Sequence, residues 1–111
     1  MALGRGDICL VDFNPAKGGE IGKLRPAILM SKADEIEVLD TVIVIPLSTV
    51  IQKDTKPYRV HITKREKLLY DSDACIYEIR ALSKIRVGNK IACVGEKEFE
   101  EISRCLCELL S

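Results

Sequence analysis

The hydrophobic pattern of this 111-residue chain changes its period near residue 95, and this change most limits the folds open to it. Before that point, apolar residues occur in short runs rich in β-branched side chains, separated by Gly, Pro, Asn and Asp. After it, Phe99, Ile102, Leu106 and Leu109 recur at helical spacing. The pattern predicts a mainly β fold with one C-terminal helix over 96–110.

Six segments have the composition of strands, and they are 8–13, 27–30, 42–45, 58–62, 75–79 and 91–94. The run 42–45 is continuously apolar and is closed by Pro46, which predicts a central strand that is buried on both faces and ends at this proline. The segment 81–87 is predicted to hold a short helical turn. Short strands with a single helix favour a small, strongly bent sheet or barrel, covered at one opening by the helix. An open α+β sheet is the alternative.

Length and composition indicate one domain over residues 1–111. A hydrophobic content of 47% with 31% charged residues is typical of a globular protein. The chain shows neither an apolar run long enough to span a membrane nor a secretory signal, so we expect a cytoplasmic protein. The five cysteines are odd in number and form no C-x-x-C pair, which predicts small buried hydrophobes rather than metal ligands. We expect no metal and no cofactor.

A glycine-rich loop separates the first two predicted strands. Gly18 and Gly19 permit positive φ angles and close approach of a ligand to the backbone. Pro26 restricts Arg25 to extended geometry at the start of the second strand. A planar guanidinium in that position suits phosphate recognition. The alternative is that Arg25 pairs with Glu20 and that the loop is merely long.

Two hydroxyl residues, Ser48 and Thr49, follow the apolar run at Pro46-Leu47. Hydroxyls at the end of a strand bind phosphate oxygens or cap the next turn. A phosphate site is worth proposing only if Ser48 lies near Arg25. The sequence leaves open whether the two meet.

Charge is balanced overall, with 17 basic and 17 acidic residues, so the net field does not attract nucleic acid. The segment 53–67 is locally basic and is flanked by Tyr58 and Tyr70. Basic side chains with aromatic rings suit a single-stranded nucleic acid. The alternative is a solvated hairpin whose lysines maintain solubility. The basic residues of this strip are Lys53, Lys56, Arg59, Lys64, Arg65 and Lys67.

Several strings together resemble the MazF/PemK-type toxins of bacterial toxin–antitoxin systems, and the resemblance runs nearly end to end. The most specific string is Gly19-Glu20-x-x-Lys23-x-Arg25-Pro26 directly after a predicted strand. The others are Arg5-Gly6-Asp7-Ile8, Val11-Asp12-Phe13-Asn14-Pro15, Pro46-Leu47-Ser48 and Glu78-Ile79-Arg80-Ala81-Leu82.

The resemblance implies a compact SH3-like barrel of about five to seven strands. It also implies a homodimer that acts as a sequence-specific endoribonuclease on single-stranded RNA such as mRNA, and that a cognate antitoxin neutralises. The family's catalytic pair falls on Arg25 and Ser48, with Thr49 as a neighbour. The loop containing Gly19, Glu20 and Lys23 is implied to cover the RNA. Further candidates for RNA contact are Lys53, Lys56, Tyr58, Arg59, Glu78 and Arg80.

Metal-free RNA cleavage requires the 2′-hydroxyl to attack the adjacent phosphorus, leaving a 2′,3′-cyclic phosphate and a 5′-hydroxyl. The Arg25 guanidinium stays protonated, so it suits stabilisation of the charged transition state, with proton donation to the leaving oxygen as a second role. Ser48 would hold a non-bridging oxygen or orient the 2′-hydroxyl. His61 and Glu20 are candidates for the base, but the alternating context of His61 favours an exposed residue without a catalytic role.

Two departures from the family pattern bear on function. Glu78 stands where many members have Gln, and Ser83 stands where they have Asp. An acid near phosphate repels it, although Glu78 can accept a hydrogen bond from a cytosine amino group. A nuclease-dead binding protein of the same fold is therefore one alternative. Another is a gyrase poison like CcdB, but that group relies on a C-terminal Trp and this chain has none.

Overall fold

A computed structural model describes residues 2–14, 18 and 23–111. In these residues seven strands form one antiparallel sheet with the order β4-β5-β3-β2-β1-β7, and β6 pairs with β3. The strands are β1 (Asp7–Asp12), β2 (Leu24–Leu29), β3 (Thr41–Ser48), β4 (Arg59–Ile62), β5 (Ser72–Cys75), β6 (Arg80–Ser83) and β7 (Val87–Cys93). The helices are α1 (Ala33–Val38) and α2 (Glu96–Leu110), and 3-10 turns cover Ile76–Glu78 and Lys84–Arg86.

The sheet bends so that its two faces enclose two separate hydrophobic clusters. One cluster lies beneath α2, and its buried members include Ile8, Ile28, Ile45, Leu47, Val60 and Ile102. The other uses the opposite face of the same central strands and includes Val11, Phe13, Ala27, Leu29, Val42 and Val44. The period-2 alternation of strand side chains thus divides β1, β2 and β3 between the two clusters.

The C-terminal helix is confirmed over Glu96–Leu110. Glu98 begins it by accepting the backbone N–H of Gly95 at 2.7 Å, which satisfies an N–H group that the helix itself leaves open. The same carboxylate receives two hydrogen bonds from the Arg65 guanidinium, one of them 2.6 Å long from Nη2 to Oε2. Ile102, fully buried, anchors the apolar face of the helix over the first cluster.

The prediction of a mainly β fold with a C-terminal helix is confirmed, but several details are wrong. The predicted strand 75–79 is instead the end of β5 followed by a 3-10 turn, which closes when the N–H of Ile79 donates to the carbonyl of Ile76. The run 42–45 is not buried on both faces, because Ile43 is 44% exposed. Pro46 does not end that strand, which continues to Ser48.

Other differences concern short elements and cysteines. The helix α1 and the early start of β7 at Val87 were not predicted, since six residues without a buried side chain carry no amphipathic signal. A helical turn does occur in 81–87, but only over its second half. Cys93 and Cys107 are exposed, so the prediction of five buried thiols is wrong for these two. In the described part of the chain, no helix has the length and apolarity needed to cross a bilayer.

Candidate active site

A row of polar residues crosses neighbouring strands of the sheet. In the strand register, Ser48 of β3 lies opposite Asp73 of β5, and Asp73 lies opposite His61 of β4. Directly opposed residues project from the same face of a sheet. The β2–β3 register pairs Ala27 with Pro46. Continued by two residues towards the start of β2 and the end of β3, the same register sets Arg25 opposite Ser48. The row therefore reads Arg25, Ser48, Asp73, His61, which brings the two predicted catalytic residues together; we call it the polar row.

Asp73 is the buried centre of the polar row. Its side chain is only 2% exposed, yet each carboxylate oxygen has a partner. Oδ2 accepts the backbone N–H of Gln52 at 2.9 Å and Nη1 of Arg59 at 3.3 Å, while Oδ1 lies 3.4 Å from Nδ1 of His61. A buried carboxylate is tolerated only with such compensation. Asp73 therefore connects two cationic or ionisable side chains to the loop that follows β3.

The polar row borders a cleft of about 670 Å³, which is lined by Asp73, His61, Arg59 and the segment 51–56. A smaller hollow of about 250 Å³ adjoins it, lined by Gln52, Thr55, Tyr58, Arg59 and Tyr77. Both tyrosines are about half exposed, at 54% and 51%. The predicted RNA-contact residues Lys53, Lys56, Tyr58 and Arg59 thus lie around one concave surface.

Electrostatic effects on Cys75 show which charges lie near the row. Burial raises the pKa of the Cys75 thiol to about 11; the positive charge of Arg59 opposes this, the carboxylates of Glu78 and Asp73 add to it, and Arg25 opposes it. Arg25, Glu78, Arg59 and Asp73 therefore all lie near enough to Cys75 to affect its charge. A buried thiol with a raised pKa is a poor nucleophile.

Arg59 is held firmly in its charged form. Burial by itself lowers the pKa of Arg59, but hydrogen bonds to Tyr77 and Asp73 outweigh burial and raise it. A second bond from Nη1 reaches the carbonyl of Val50 at 2.9 Å. The guanidinium is thereby fixed between the loop after β3 and the smaller hollow.

The other predicted site residues fall into three groups. Ser48 is nearly buried, and its Oγ accepts the N–H of Val50 at 3.2 Å, so it also supports the turn in which exposed Thr49 lies. Lys23 adopts a φ of 71° and donates its N–H to Asn14 Oδ1 at 2.8 Å. Gly19 and Glu20 lie outside the described residues.

The basic strip 53–67 does not act as one surface. Lys53, Lys56 and Arg59 line the cleft, whereas Arg65 binds Glu98 of α2 and does not. Lys56 also forms an ion pair with Glu101 of α2. Arg80 stacks over the Phe13 ring with 5.5 Å between its Cζ and the ring centroid.

Sequence reasoning missed Asp73 and Gln52. The local sequence gives no signal for Asp73, because the burial of Ser72-Asp73-Ala74-Cys75 becomes visible only in the structure. Acidic residues are almost never fully buried without a partner, so a buried Asp73 marks a candidate functional residue. Among the described residues, no three His, Cys, Asp or Glu side chains are placed to share a metal ion.

Comparison with known proteins shows the family to which this chain is similar. Residues 4–110 match the family of PemK-like, MazF-like toxins of type II toxin–antitoxin systems. Relatives named Endoribonuclease MazF are 32% identical in Staphylococcus saprophyticus and 33% in Staphylococcus epidermidis, each over 92% of this chain and 86% of the relative.

Solved structures share the fold at lower identity. A MazF structure from Deinococcus radiodurans superposes with a TM-score of 0.82 at 21% identity, covering 99% of this chain and 97% of that one. A mycobacterial endoribonuclease in complex with its cognate antitoxin gives 0.78 at 19% identity, covering 98% and 95%. The chain therefore belongs to the PemK-like, MazF-like family of type II toxins.

Proposed function

We propose that this chain is an endoribonuclease toxin that cleaves single-stranded RNA at specific sequences without a metal ion. The observation that supports the proposal is the polar row, in which the continued β2–β3 register sets Arg25 opposite Ser48 and in which Asp73 and His61 line a cleft with Lys53, Lys56 and Arg59. The names of the staphylococcal relatives support the same activity. RNA rather than DNA is the substrate because the reaction uses the 2′-hydroxyl.

Cleavage proceeds by attack of the 2′-oxygen on the adjacent phosphorus and leaves a 2′,3′-cyclic phosphate and a 5′-hydroxyl. Arg25 stabilises the negative charge that develops on the phosphate oxygens, since its guanidinium keeps its charge. Ser48 donates its hydroxyl proton to a non-bridging oxygen. Its Oγ is already oriented, because it accepts the N–H of Val50.

RNA lies across the cleft. Lys53, Lys56 and Arg59 bind its phosphates, and Tyr58 offers an exposed ring on which a base stacks. Glu78 and Arg80 contribute to base selection, and the loop with Gly19, Glu20 and Lys23 covers the strand. Thr49, exposed beside Ser48, contacts the same backbone.

The toxin acts in the cytoplasm, where mRNA is found, and a cognate antitoxin blocks the cleft. A related mycobacterial endoribonuclease has been solved with its antitoxin, which supports this partner. A homodimer is supported by exposed apolar side chains around the β3–β6 pair, namely Val38, Leu39, Ile43 and Ile85. Sedimentation velocity at micromolar concentration tests the dimer, and a monomer there would contradict it.

The decisive experiment incubates the protein with mixed-sequence RNA in EDTA. We expect discrete fragments with cyclic phosphate ends, and we expect Arg25→Ala to slow their formation by about 10²–10³-fold, as loss of one preorganised donor does. Sequencing of the fragment ends identifies the cleavage site, and a time course of fragment formation gives the cleavage rate.

Two controls make the result specific. Arg25→Lys keeps the charge but loses the bidentate fork, so it should recover only part of the rate. A substrate with a 2′-deoxy nucleotide at the cleaved position should stay intact. Intact RNA with the wild-type protein would instead favour a non-catalytic member of the fold, as would cleavage that Arg25→Ala leaves unchanged.

A further inference from the structure

The single histidine of the chain lies in the polar row, two strands from Ser48. Its side chain is 47% exposed, as the sequence predicted, and it lines the 670 Å³ cleft. Exposure therefore does not separate His61 from the site. It makes the ring accessible to whatever the cleft holds.

Asp73 fixes the orientation of this ring. Its Oδ1 lies 3.4 Å from Nδ1 of His61, while Gln52 and Arg59 hold the other carboxylate oxygen in place. A carboxylate on Nδ1 sets the tautomer and directs Nε2 outward. The nearest carboxylate to Nε2 is that of Asp71, and its Oδ2 is 3.8 Å away, which is beyond hydrogen-bond length. Nε2 is therefore available to a ligand.

The row keeps His61 two strands away from Ser48. Neighbouring strands are about 4.8 Å apart, so the backbones of Ser48 and His61 are separated by roughly 9.6 Å across β5. Between them, the Asp73 carboxylate is buried in the wall of the cleft, and its charge is offset by Arg59.

Building on the proposed ribonuclease activity, we propose that His61 is the general acid of the reaction and that Asp73 is its positioning residue. As the 2′-oxygen forms its bond to phosphorus, the P–O5′ bond breaks and its electron pair leaves with the 5′-oxygen. That oxygen takes the proton from Nε2 of His61. The proton of the 2′-hydroxyl passes to water, and the imidazole regains a proton from solvent.

Two carboxylates flank the ring. Oδ1 of Asp73 lies 3.4 Å from Nδ1 and Oδ2 of Asp71 lies 3.8 Å from Nε2. The remaining charged groups of the cleft are Asp54, Lys53, Lys56 and Arg59. Of these, Arg59 forms an ion pair with Asp73, and Lys56 forms an ion pair with Glu101. His61 thus relieves Arg25 of the proton transfer, for which a guanidinium is poorly suited.

The test compares two substrates that differ in one leaving atom. After the cleavage site has been mapped, one RNA carries the ordinary 5′-oxygen there and the other carries a bridging 5′-sulfur, which leaves without a proton. We expect His61→Gln to slow cleavage of the ordinary RNA by about 10²–10⁴-fold, the usual contribution of a general acid. On the sulfur substrate, His61→Gln should cleave at the wild-type rate.

Three further variants separate the roles. Arg25→Ala should be slow on both substrates, because it stabilises charge in either reaction. Asp73→Asn should show the same pattern as His61→Gln but with a smaller loss. Lys64→Gln is the matched control, since Lys64 is an exposed basic residue of the strip that does not line the cleft, and it should match wild type on both substrates.

Each outcome has a definite meaning. If His61→Gln cleaves ordinary RNA at the wild-type rate, or is equally slow on both substrates, His61 is not the general acid although the ribonuclease activity stands. If the wild-type protein cleaves neither RNA, the proposed function itself is wrong. Because His61 is half exposed, its variant should fold, and urea denaturation confirms this; the assignment of the acid therefore does not depend on the stability of Asp73→Asn.

Discussion

The two faces of strands β3, β5 and β4 carry opposite kinds of side chain, one apolar and one polar. Neighbouring residues of each strand alternate between these faces. On one face Leu47, Ala74 and Val60 form a buried row beneath α2. On the other, Ser48 and Asp73 continue the polar row. The same backbone hydrogen bonds thus support a hydrophobic core and a cleft, and the alternation of side chains keeps the two apart.

This difference shows how a small domain can bury a charged side chain. On the core face, stability comes from apolar area removed from water. On the cleft face, a buried carboxylate is retained because Gln52, Arg59 and His61 compensate it. We infer that core-face substitutions change folding while cleft-face substitutions change chemistry.

Leu47→Ala gives the largest expected effect on folding. Leu47 is 2% exposed in the cluster beneath α2, so its truncation should lower the free energy of unfolding by about 2–5 kcal/mol. Urea denaturation measures this loss. Cleavage per folded molecule, assayed well below the unfolding midpoint, should stay near that of wild type. A parallel fall in specific activity would show that the two faces are coupled.

Ser48→Ala, at the next residue, should have the opposite profile. Loss of the hydroxyl should lower kcat/KM by about 10²–10³-fold, as for a donor to a developing negative charge. The free energy of unfolding should fall only by the contribution of the hydrogen bond from the N–H of Val50, which is about 0.5–1.5 kcal/mol. Ser48→Thr is the matched control because it keeps the hydroxyl. A fully active Ser48→Ala would remove Ser48 from the mechanism and leave the cleft face with Arg25 alone.

Glu98→Gln gives the smallest effect, and it lies far from the cleft. The ion pair with Arg65 lowers the pKa of Glu98, burial opposes this, and the N–H of Gly95 adds to it. A carboxyl group whose pKa is lower in the folded than in the unfolded state stabilises the protein at a pH above its unfolded pKa, which is about 4.3. This stabilisation is lost as the pH falls through the folded pKa.

At pH 7 the variant should therefore lose less than about 1 kcal/mol, as expected for a partly exposed pair. The difference from wild type should shrink at a pH below about 4. Urea unfolding at both pH values measures it, with Glu100→Gln, an exposed position on the same helix, as the control. A difference that stays constant with pH would mean that the charge of Glu98 is not what stabilises α2.

Local patterns predicted the parts of the fold that depend on neighbours in sequence. The helix over 96–110 was predicted with its bounds, because helical spacing and early acidic residues lie within one segment. The strand starting at Ser72 was misplaced, since a run of Ser, Asp and Ala carries little β propensity and is held by pairing with β3 and β4. Pairing partners distant in sequence are invisible to such a pattern.

The residues of the candidate site also divide into those that local sequence predicted and those that it did not. Arg25 and Ser48 were identified from their strings, and Arg59 from the basic strip. Asp73 was missed, because nothing nearby in sequence indicates that β5 lies between β3 and β4. Arg65 was assigned to the RNA strip but binds α2, a partner 33 residues away.

The sequence by itself determined the residue types, the mainly β class with its terminal helix and the resemblance to a toxin family, since each resides in local strings and periods. Only the tertiary structure decided that Ser48, Asp73 and His61 share one row, because strand order and register arise from contacts between segments far apart in the chain. That register brings a buried carboxylate to a histidine and places the ring in the cleft beside Arg59.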